Sequence, residues 1–265
     1  MQTYENILSR ELIENQLETQ SLGRKIIVLD EVDSTNNYAK MLAQNGAENG
    51  TAVIADYQTA GKGRLGRTFV SPKGTGLYIS FILRNNISIS SAQLITSCTA
   101  VAAAEAVEEL CGCDVKIKWV NDLFLGGRKI CGILTEASIT DKLEYVIIGI
   151  GINAGKISGK IPPELEEIAT SIEQETGKNI NRNKLCAVLL KKLEYRLSQL
   201  ESGVFIDEYR RRSMIIGEKV SVEERGVSRS GKAVAIADDA GLTIEFDDGE
   251  IRTINSGEAK IIKQK

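Results

Sequence analysis

The chain has 265 residues, 42% apolar and 26% charged, which suits a soluble larger domain with a proper core plus one smaller module. Its net charge of -3 excludes a surface built throughout for nucleic acid, so any anion site must be a local concentration of cations. Histidine is absent altogether, which removes Ser-His-Asp and Cys-His catalysis, His-ligated metals and imidazole acid–base chemistry together.

The N-terminus, MQTYENILSRELIEN, has no secretory core, and no apolar run approaches the ~20 residues that span a bilayer. No membrane association and a cytoplasmic location are therefore expected. Ile7, Leu8, Leu12, Ile13 and Leu17 stand at helical spacing and predict a short helix over 4–20, which makes 1–21 an N-terminal appendage. Lys25–Asp30 reads as a buried strand. Ser34 caps a predicted helix over Thr35–Gln44, and Asn45-Gly46 is its stop. Strands are predicted at Thr51–Asp56 and Leu77–Arg84, with a glycine-rich loop between them. Over Ser90–Leu110 the small and apolar residues Leu94, Ile95, Cys98, Val101, Ala102, Ala106 and Val107 predict one long helix.

Further strands are predicted at Lys116–Trp119, Leu123–Leu125, Lys129–Glu136 and Tyr145–Ile150, with Gly126-Gly127 a hairpin turn. Helices follow at Asn183–Leu200 and Val204–Arg212. From Gly217 the texture changes to VSVEE, KAVAIA, LTIEF and EIRTI, separated by Gly/Asp turns. This is a small all-β module of about 50 residues, too short for much core of its own and so expected to dock on the larger domain. The division is 22–213 for the larger domain and 214–265 for the module. The five cysteines are odd in number, and Cys111-x-Cys113 lacks zinc-knuckle or redox spacing, so reduced thiols are expected.

The most informative stretch is YQTAGKGRLGR at 57–67, with Lys62, Arg64 and Arg67 set among Gly61, Gly63 and Gly66. The glycines let backbone lie close to a ligand, and the cations offset an anion's charge. The GxGxxG pattern is weak alone: the following RTFVSPKG cannot open a helix, as a dinucleotide fingerprint requires. There is no HRD or DFG of a protein kinase, and no GxxxxGK[ST]. Lys116, Lys118, Arg128 and Lys129 make a second basic cluster around Trp119-Val120-Asn121-Asp122. Taken singly, Lys129 reads as an edge-strand lysine, Asp122 as a turn former, Cys131 and Trp119 as core.

In order, DSTNNYAK (33–40), YQTAGKGRLGR, SPKGTGLYIS (71–80), KWVNDLFLGGRKICGIL (118–134), IIGIGIN (147–153) and the β module ending in Ser256-Gly257-Glu258 resemble biotin–protein ligase across most of the chain. The family usually has Arg where Lys62 stands, Pro where Val120 stands and often Trp where Phe69 stands; Lys62 keeps the charge but loses the bidentate fork. The resemblance implies an α/β fold of the class II aminoacyl-tRNA synthetase and biotin ligase type, a mixed sheet backed by helices with a small C-terminal SH3-like β-barrel. It implies ATP and biotin as substrates, Mg²⁺, a two-step reaction through biotinyl-5'-AMP, and transfer to a lysine of the biotin carboxyl carrier domain of a carboxylase.

By matching positions, Ser34, Thr35, Asn36 and Gln58 would hydrogen-bond biotin, and Gly132 would approach its ring. Lys62, Gly63 and Arg64 would close over the ligand, and Arg67 belongs to the same ligand-binding set. Lys129 would hold the carboxylate against the α-phosphate. Asn121 and Asp122 would lie by the nucleotide, Asp122 also as a candidate Mg²⁺ ligand, and Phe69 would cover the adenine. Lys129, Arg64 and Asp122 are the catalytic candidates. A lipoate–protein ligase is the nearest alternative, disfavoured by the loop and the β module. Repressor members carry an N-terminal helix-turn-helix domain of about 60 residues. Only Met1–Arg24 precede the first core strand, so a monofunctional enzyme with no DNA partner is expected, with a homodimer left open.

Overall fold

The computed structural model describes residues 6–84, 88–92, 94–224 and 227–262. Ser9 caps α1 (Arg10–Glu14), its hydroxyl accepting from the Leu12 amide. The helix expected over 4–20 is thus five residues long, and Met1–Glu5 lie outside the described residues. A tertiary anchor overrides the helical pattern: the amides of Gln20, Ser21 and Leu22 all donate to the Glu194 carboxylate, at 2.7, 2.6 and 2.9 Å.

β1 (Ile26–Leu29), α2 (Thr35–Gln44), β2 (Ala52–Ala55) and β3 (Gly76–Leu83) fall where the apolar runs predict them. The expected helix over 90–110 is divided into α3 (Ile89–Ala92) and α4 (Ile95–Cys111), with Leu94 as the N-cap of the second and left-handed Gly112 as its stop. β4 (Lys116–Lys118), β5 (Asp122–Leu125), β6 (Arg128–Ile139) and β7 (Leu143–Asn153) complete the first sheet. Gly126 and Gly127, at φ +59° and +81°, form the turn between β5 and β6, a pair of positive dihedrals that side-chain-bearing residues rarely adopt. The strand order is β1-β2-β3-β7-β6-β5-β4, with only β1 and β2 parallel.

β3 and β7 are central and almost wholly buried, which is why GLYISFIL and YVIIGIGIN read as continuous apolar runs rather than alternating ones. α4 packs with α7 (Arg182–Ser198) and α8 (Phe205–Arg212) over one face. Ala100, Ala102, Ala103, Ala104 and Ala106 lie buried in this layer, small side chains that let the helices approach the sheet closely. α2 covers the other face through Ala39 and Ala43 against Val53, Ile82 and Ile147. Between β7 and α7, where left-handed Gly159 and Pro162-Pro163 break up a helically spaced apolar series, α5 (Pro163–Glu166) and α6 (Ile172–Thr176) are joined by an extended stretch along β6. There the Lys129 amide donates to the Ile168 carbonyl and the Thr170 amide to the Lys129 carbonyl, each at 2.8 Å.

The C-terminal module is a five-stranded antiparallel sheet of β8 (Lys219–Glu224), β9 (Val227–Ile236), β10 (Leu242–Phe246), β11 (Ile251–Ile254) and β12 (Ala259–Ile261), in the order β11-β10-β9-β8-β12. Its inward side chains, Val220, Val222, Leu242 and Ile244 among them, join the core of the larger domain rather than a separate one. Trp119 and Arg210 fasten the joint, their Nε1–H and Nε–H donating to the Ala240 and Ile236 carbonyls at 2.9 and 2.8 Å. The architecture is the expected one: a mixed sheet backed by helices with a small β module docked on it.

Candidate active site

Two cavities adjoin on the α2 face of the sheet. The narrow one, of about 50 Å³, is bounded by the start of α2, by the 58–69 loop and by glycine-bearing stretches of β6 and β7. The wide one, of about 490 Å³, runs outward between the loop, the Trp119–Asp122 turn and the 157–169 segment. Gly63, Arg64, Phe69, Asn121 and Lys129 line both, so the two spaces meet at a cation pair, an amide and an aromatic ring.

Sequence fixes the narrow end locally. Ser34 stands at the N-cap of α2 without spending its hydroxyl on the helix, so its oxygen stays available to the cavity. Gln58 bridges α2 to the loop: its Oε1 accepts from the Thr35 amide at 2.9 Å and its Nε2 donates to Ser71 Oγ at 2.8 Å. Gly149 and Gly151 on β7 are required by close approach. A Cβ on Gly149 would sit 2.0 Å from Asn36 Oδ1, and one on Gly151 would sit 2.5 Å from the Phe69 ring. The ring thus lies on the strands between the two cavities, edge-on to Tyr78 at 6.4 Å.

At the junction the Lys129 ammonium lies 2.7 Å from Asp122 Oδ1, both side chains about a quarter exposed. That contact is an ion pair without an aligned hydrogen bond, and Oδ1 has no other partner. Arg64 donates to Asn121 Oδ1 at 3.2 Å, and Asn121 in turn donates to the Ile133 carbonyl at 2.8 Å. The buried Tyr209 donates its hydroxyl to the Val120 carbonyl at 3.0 Å, fixing the turn from below. Burial pushes the Tyr209 phenol and the Cys131 thiol well above their ordinary ranges, so neither supplies a proton acceptor or nucleophile.

On the outer side Arg67 makes a two-pronged contact with Glu258 of the β module, at 2.9 and 2.5 Å. The Arg67 hydrogen bond holds the Glu258 carboxyl below the usual carboxylate range. Both residues line the wide cavity, so the module contributes to the site and is more than a prop.

Every candidate residue from the sequence lines one of the two spaces. Ser34, Thr35, Asn36, Gln58, Lys62 and Gly132 face the narrow one; Arg67 and Asp122 face the wide one; the rest stand at the junction. Lys62, Arg64 and Lys129 share one enclosure, although the Lys62 ammonium is engaged at its mouth with Asn37. The second basic cluster divides: Lys118 and Lys129 face the wide cavity, while Lys116 and Arg128 pair outside it with Asp114 and Glu175. Sequence reasoning missed the apolar wall of Ile157, Ile161, Leu165 and Ile168, whose helical spacing is interrupted by left-handed Gly159 and by Pro162-Pro163.

Comparison with known proteins agrees at both ends of the chain. Residues 28–153 match the model of the biotin/lipoate A/B protein ligase family, and residues 215–260 match the biotin protein ligase C-terminal domain. The chain is 36% identical over 258 residues to the bifunctional ligase/repressor BirA of Bacillus subtilis, covering 96% of this chain and 79% of that protein. It is 29% identical over 227 residues to the biotin--[acetyl-CoA-carboxylase] ligase of Mycobacterium tuberculosis, covering 81% and 82%. The biotin protein ligase of Aquifex aeolicus, solved in complex with biotin and ATP, superposes with a TM-score of 0.77 at 30% identity over 91% of this chain and all of that one. With the glycine loop, the Lys129–Asp122 junction and the docked β module all in place, the chain belongs to the biotin protein ligase family.

Proposed function

We propose that the two cavities hold the two substrates of a biotin–protein ligase, biotin in the narrow one and ATP in the wide one. The observation that carries this is their meeting at Lys129, Arg64 and Asn121. A carboxylate attacking the α-phosphorus is an anion approaching a polyanion, and at ~4 Å with an effective dielectric near 20 each unit charge pair costs about 4 kcal/mol. Lys129 and Arg64 stand where that repulsion arises. Lys129 passes from Asp122 to the reacting oxygens, and Arg64, Arg67 and Lys118 face the departing pyrophosphate. The products of this step are biotinyl-5'-AMP and pyrophosphate. A carrier-domain lysine then attacks the acyl carbon and AMP leaves, with Asp122 Oδ1, short of an aligned donor, placed to take the amine's proton.

Mg²⁺ belongs to the same reading. No cluster of three or more His, Cys, Asp or Glu occurs among the described residues, so a resident all-protein site is not supported. One carboxylate plus substrate phosphates is however a normal setting for this ion. Asp122 would hold it, and when bound it would offset charge building on the phosphates.

The narrow cavity is too small for a fused bicyclic acid, so admission requires the Phe69 ring to leave Gly151 and the loop to shift with it. Once reclosed, the loop shields the reactive anhydride from water. Arg64→Gly is therefore expected to release adenylate, seen as biotin labelling of bystander proteins. Labelling confined to the carrier domain would refute the shielding role. Gly149→Ala, by displacing Asn36, is expected to raise the KM for biotin roughly tenfold or more while leaving that for ATP within about twofold; equal effects on both would refute the assignment of the narrow cavity.

The deciding assay is incubation with biotin, ATP, Mg²⁺ and a carboxylase carrier domain, followed by the mass of the carrier. Lipoate in place of biotin tests the nearest alternative. The reading includes action in the cytoplasm without a DNA partner, tested by gel shift, and leaves self-association to sedimentation with and without the adenylate. Among the described residues no helix is long and apolar enough to cross a membrane.

A further inference from the structure

The turn that carries Asn121 and Asp122 leaves one main-chain donor unspent. Asn121 is half-buried and lines both cavities. Its carbonyl accepts from the Ile133 amide at 3.1 Å, its side-chain NH₂ donates to the Ile133 carbonyl at 2.8 Å, and its Oδ1 accepts from Arg64 at 3.2 Å. Among the described residues nothing accepts from its main-chain N–H. Main-chain donors away from bulk water are nearly always paired, so an unpaired one beside a ligand cavity points to a ligand oxygen.

Tyr209 decides which way that N–H faces. Its hydroxyl donates to the Val120 carbonyl at 3.0 Å, and among the described residues that oxygen has no other donor. Neither Tyr209 nor Val120 lines a cavity, and α8 packs on the face of the sheet opposite to both cavities. In a trans peptide the C=O and the next N–H point in opposite directions. Drawing the Val120 oxygen towards α8 therefore turns the Asn121 N–H towards the cavities. The two bonds to Ile133 hold Asn121 in place but leave the peptide plane before it free to swing. Tyr209 alone holds that plane, and its burial keeps the phenol protonated and so a donor.

The transfer step calls for such a donor. The carrier amine adds to the acyl carbon, the new C–N bond forms, and the carbonyl oxygen carries negative charge until the C–O bond to phosphate breaks and AMP leaves with the electron pair. The amine's proton goes to Asp122. Adenylate formation is different, because its charge builds on oxygens bonded to phosphorus, where Lys129 and Arg64 stand. A fixed, neutral N–H suits charge that appears only in passing on the acyl oxygen. We infer that the Asn121 main-chain N–H is the oxyanion donor of the transfer step, and that Tyr209, which never touches substrate, is its positioning residue. The inference rests on the junction being the place where biotin meets ATP.

The test compares the two half-reactions in the full chain. In Tyr209→Phe, single-turnover transfer from preformed adenylate to the carrier domain should fall about tenfold, since the donor is loosened and not removed. Biotin-dependent ATP–pyrophosphate exchange should stay within about threefold of wild type, whereas a merely structural loosening of the turn would slow both. Hydroxylamine in place of the carrier separates the oxyanion from proton transfer: it is uncharged at neutral pH and needs no help from Asp122, yet its attack passes through the same oxyanion. The loss should persist with it. A loss seen only with the carrier, an equal loss in exchange, or no loss at all overturns the inference. If Tyr209→Phe does not fold, wild type carrying isotope-labelled asparagine decides by NMR. The Asn121 amide proton should move to lower field with an acyl-sulfamate analogue of biotinyl-AMP and not with an analogue whose acyl group is a methylene. The same response to both analogues overturns the inference. Absence of biotin-dependent exchange in wild type would instead overturn the ligase reading beneath it.

Discussion

Lys129→Ala is expected to lower biotin-dependent ATP–pyrophosphate exchange about 10³-fold. The ammonium is the innermost cation at the junction of the two cavities, beside Asp122 and against Gly132. Without it, roughly 4 kcal/mol of carboxylate–phosphate repulsion per charge pair is left standing, which corresponds to about three decades of rate. The fold should survive. The Lys129 main chain keeps its bonds to Ile168 and Thr170, and an ion pair this open to solvent contributes no more than ~1 kcal/mol. Exchange within about tenfold of wild type would remove Lys129 from the chemistry. A collapsed melting temperature would show instead that its part is structural.

Arg182→Ala carries the largest expected loss of stability, about 3–5 kcal/mol in urea unfolding. The guanidinium is almost fully buried at the start of α7. It donates to Asp56 Oδ1 at 2.5 Å, to the Gly76 carbonyl at 3.1 Å and to the Asn6 carbonyl at 2.8 Å. Removing it strands the Asp56 carboxylate among buried strands, and that uncompensated charge is the main cost. Asp56 also accepts from the Gly74 amide at 3.2 Å, where the chain leaves the Phe69 loop for β3, so loosening of the loop should accompany the loss. For a chain of this size the melting temperature should drop by roughly 10 °C. A change below about 1 kcal/mol would show that Asp56 finds water in place of its partner.

Most of the frame was legible because it depends on local rules. YVIIGI can only be a strand buried on both faces, Gly126-Gly127 can only be a tight turn, and Ser34 and Asn45-Gly46 bracket a helix by their own conformational preferences. The chemical candidates were legible for a similar reason: cations set among glycines have few uses besides an anion. The N-terminal helix is shorter than its apolar spacing implies: that spacing runs on to Leu17, whereas the helix ends at Glu14 and the backbone of Gln20 to Leu22 is captured by Glu194, more than 170 residues away. The interruption at Leu94 was hidden by apolar periodicity that continues through it.

The amino-acid sequence by itself determined the strands, the turn glycines and which cations and amides are offered to a ligand. Only the tertiary structure decided that the site is two spaces and not one, that Ile157 to Ile168 form the outer wall, and that Glu258 reaches Arg67 from the β module. It also decided that Ser80 and Glu136, an unremarkable serine in an apolar strand and a half-buried glutamate, end up in register with Asn36. The physical reason is range. Dihedral preference and hydrophobic period act over a few residues and leave a trace in the order of the chain, whereas a hydrogen bond between residues 36 and 136 depends on how the sheet pairs and leaves none.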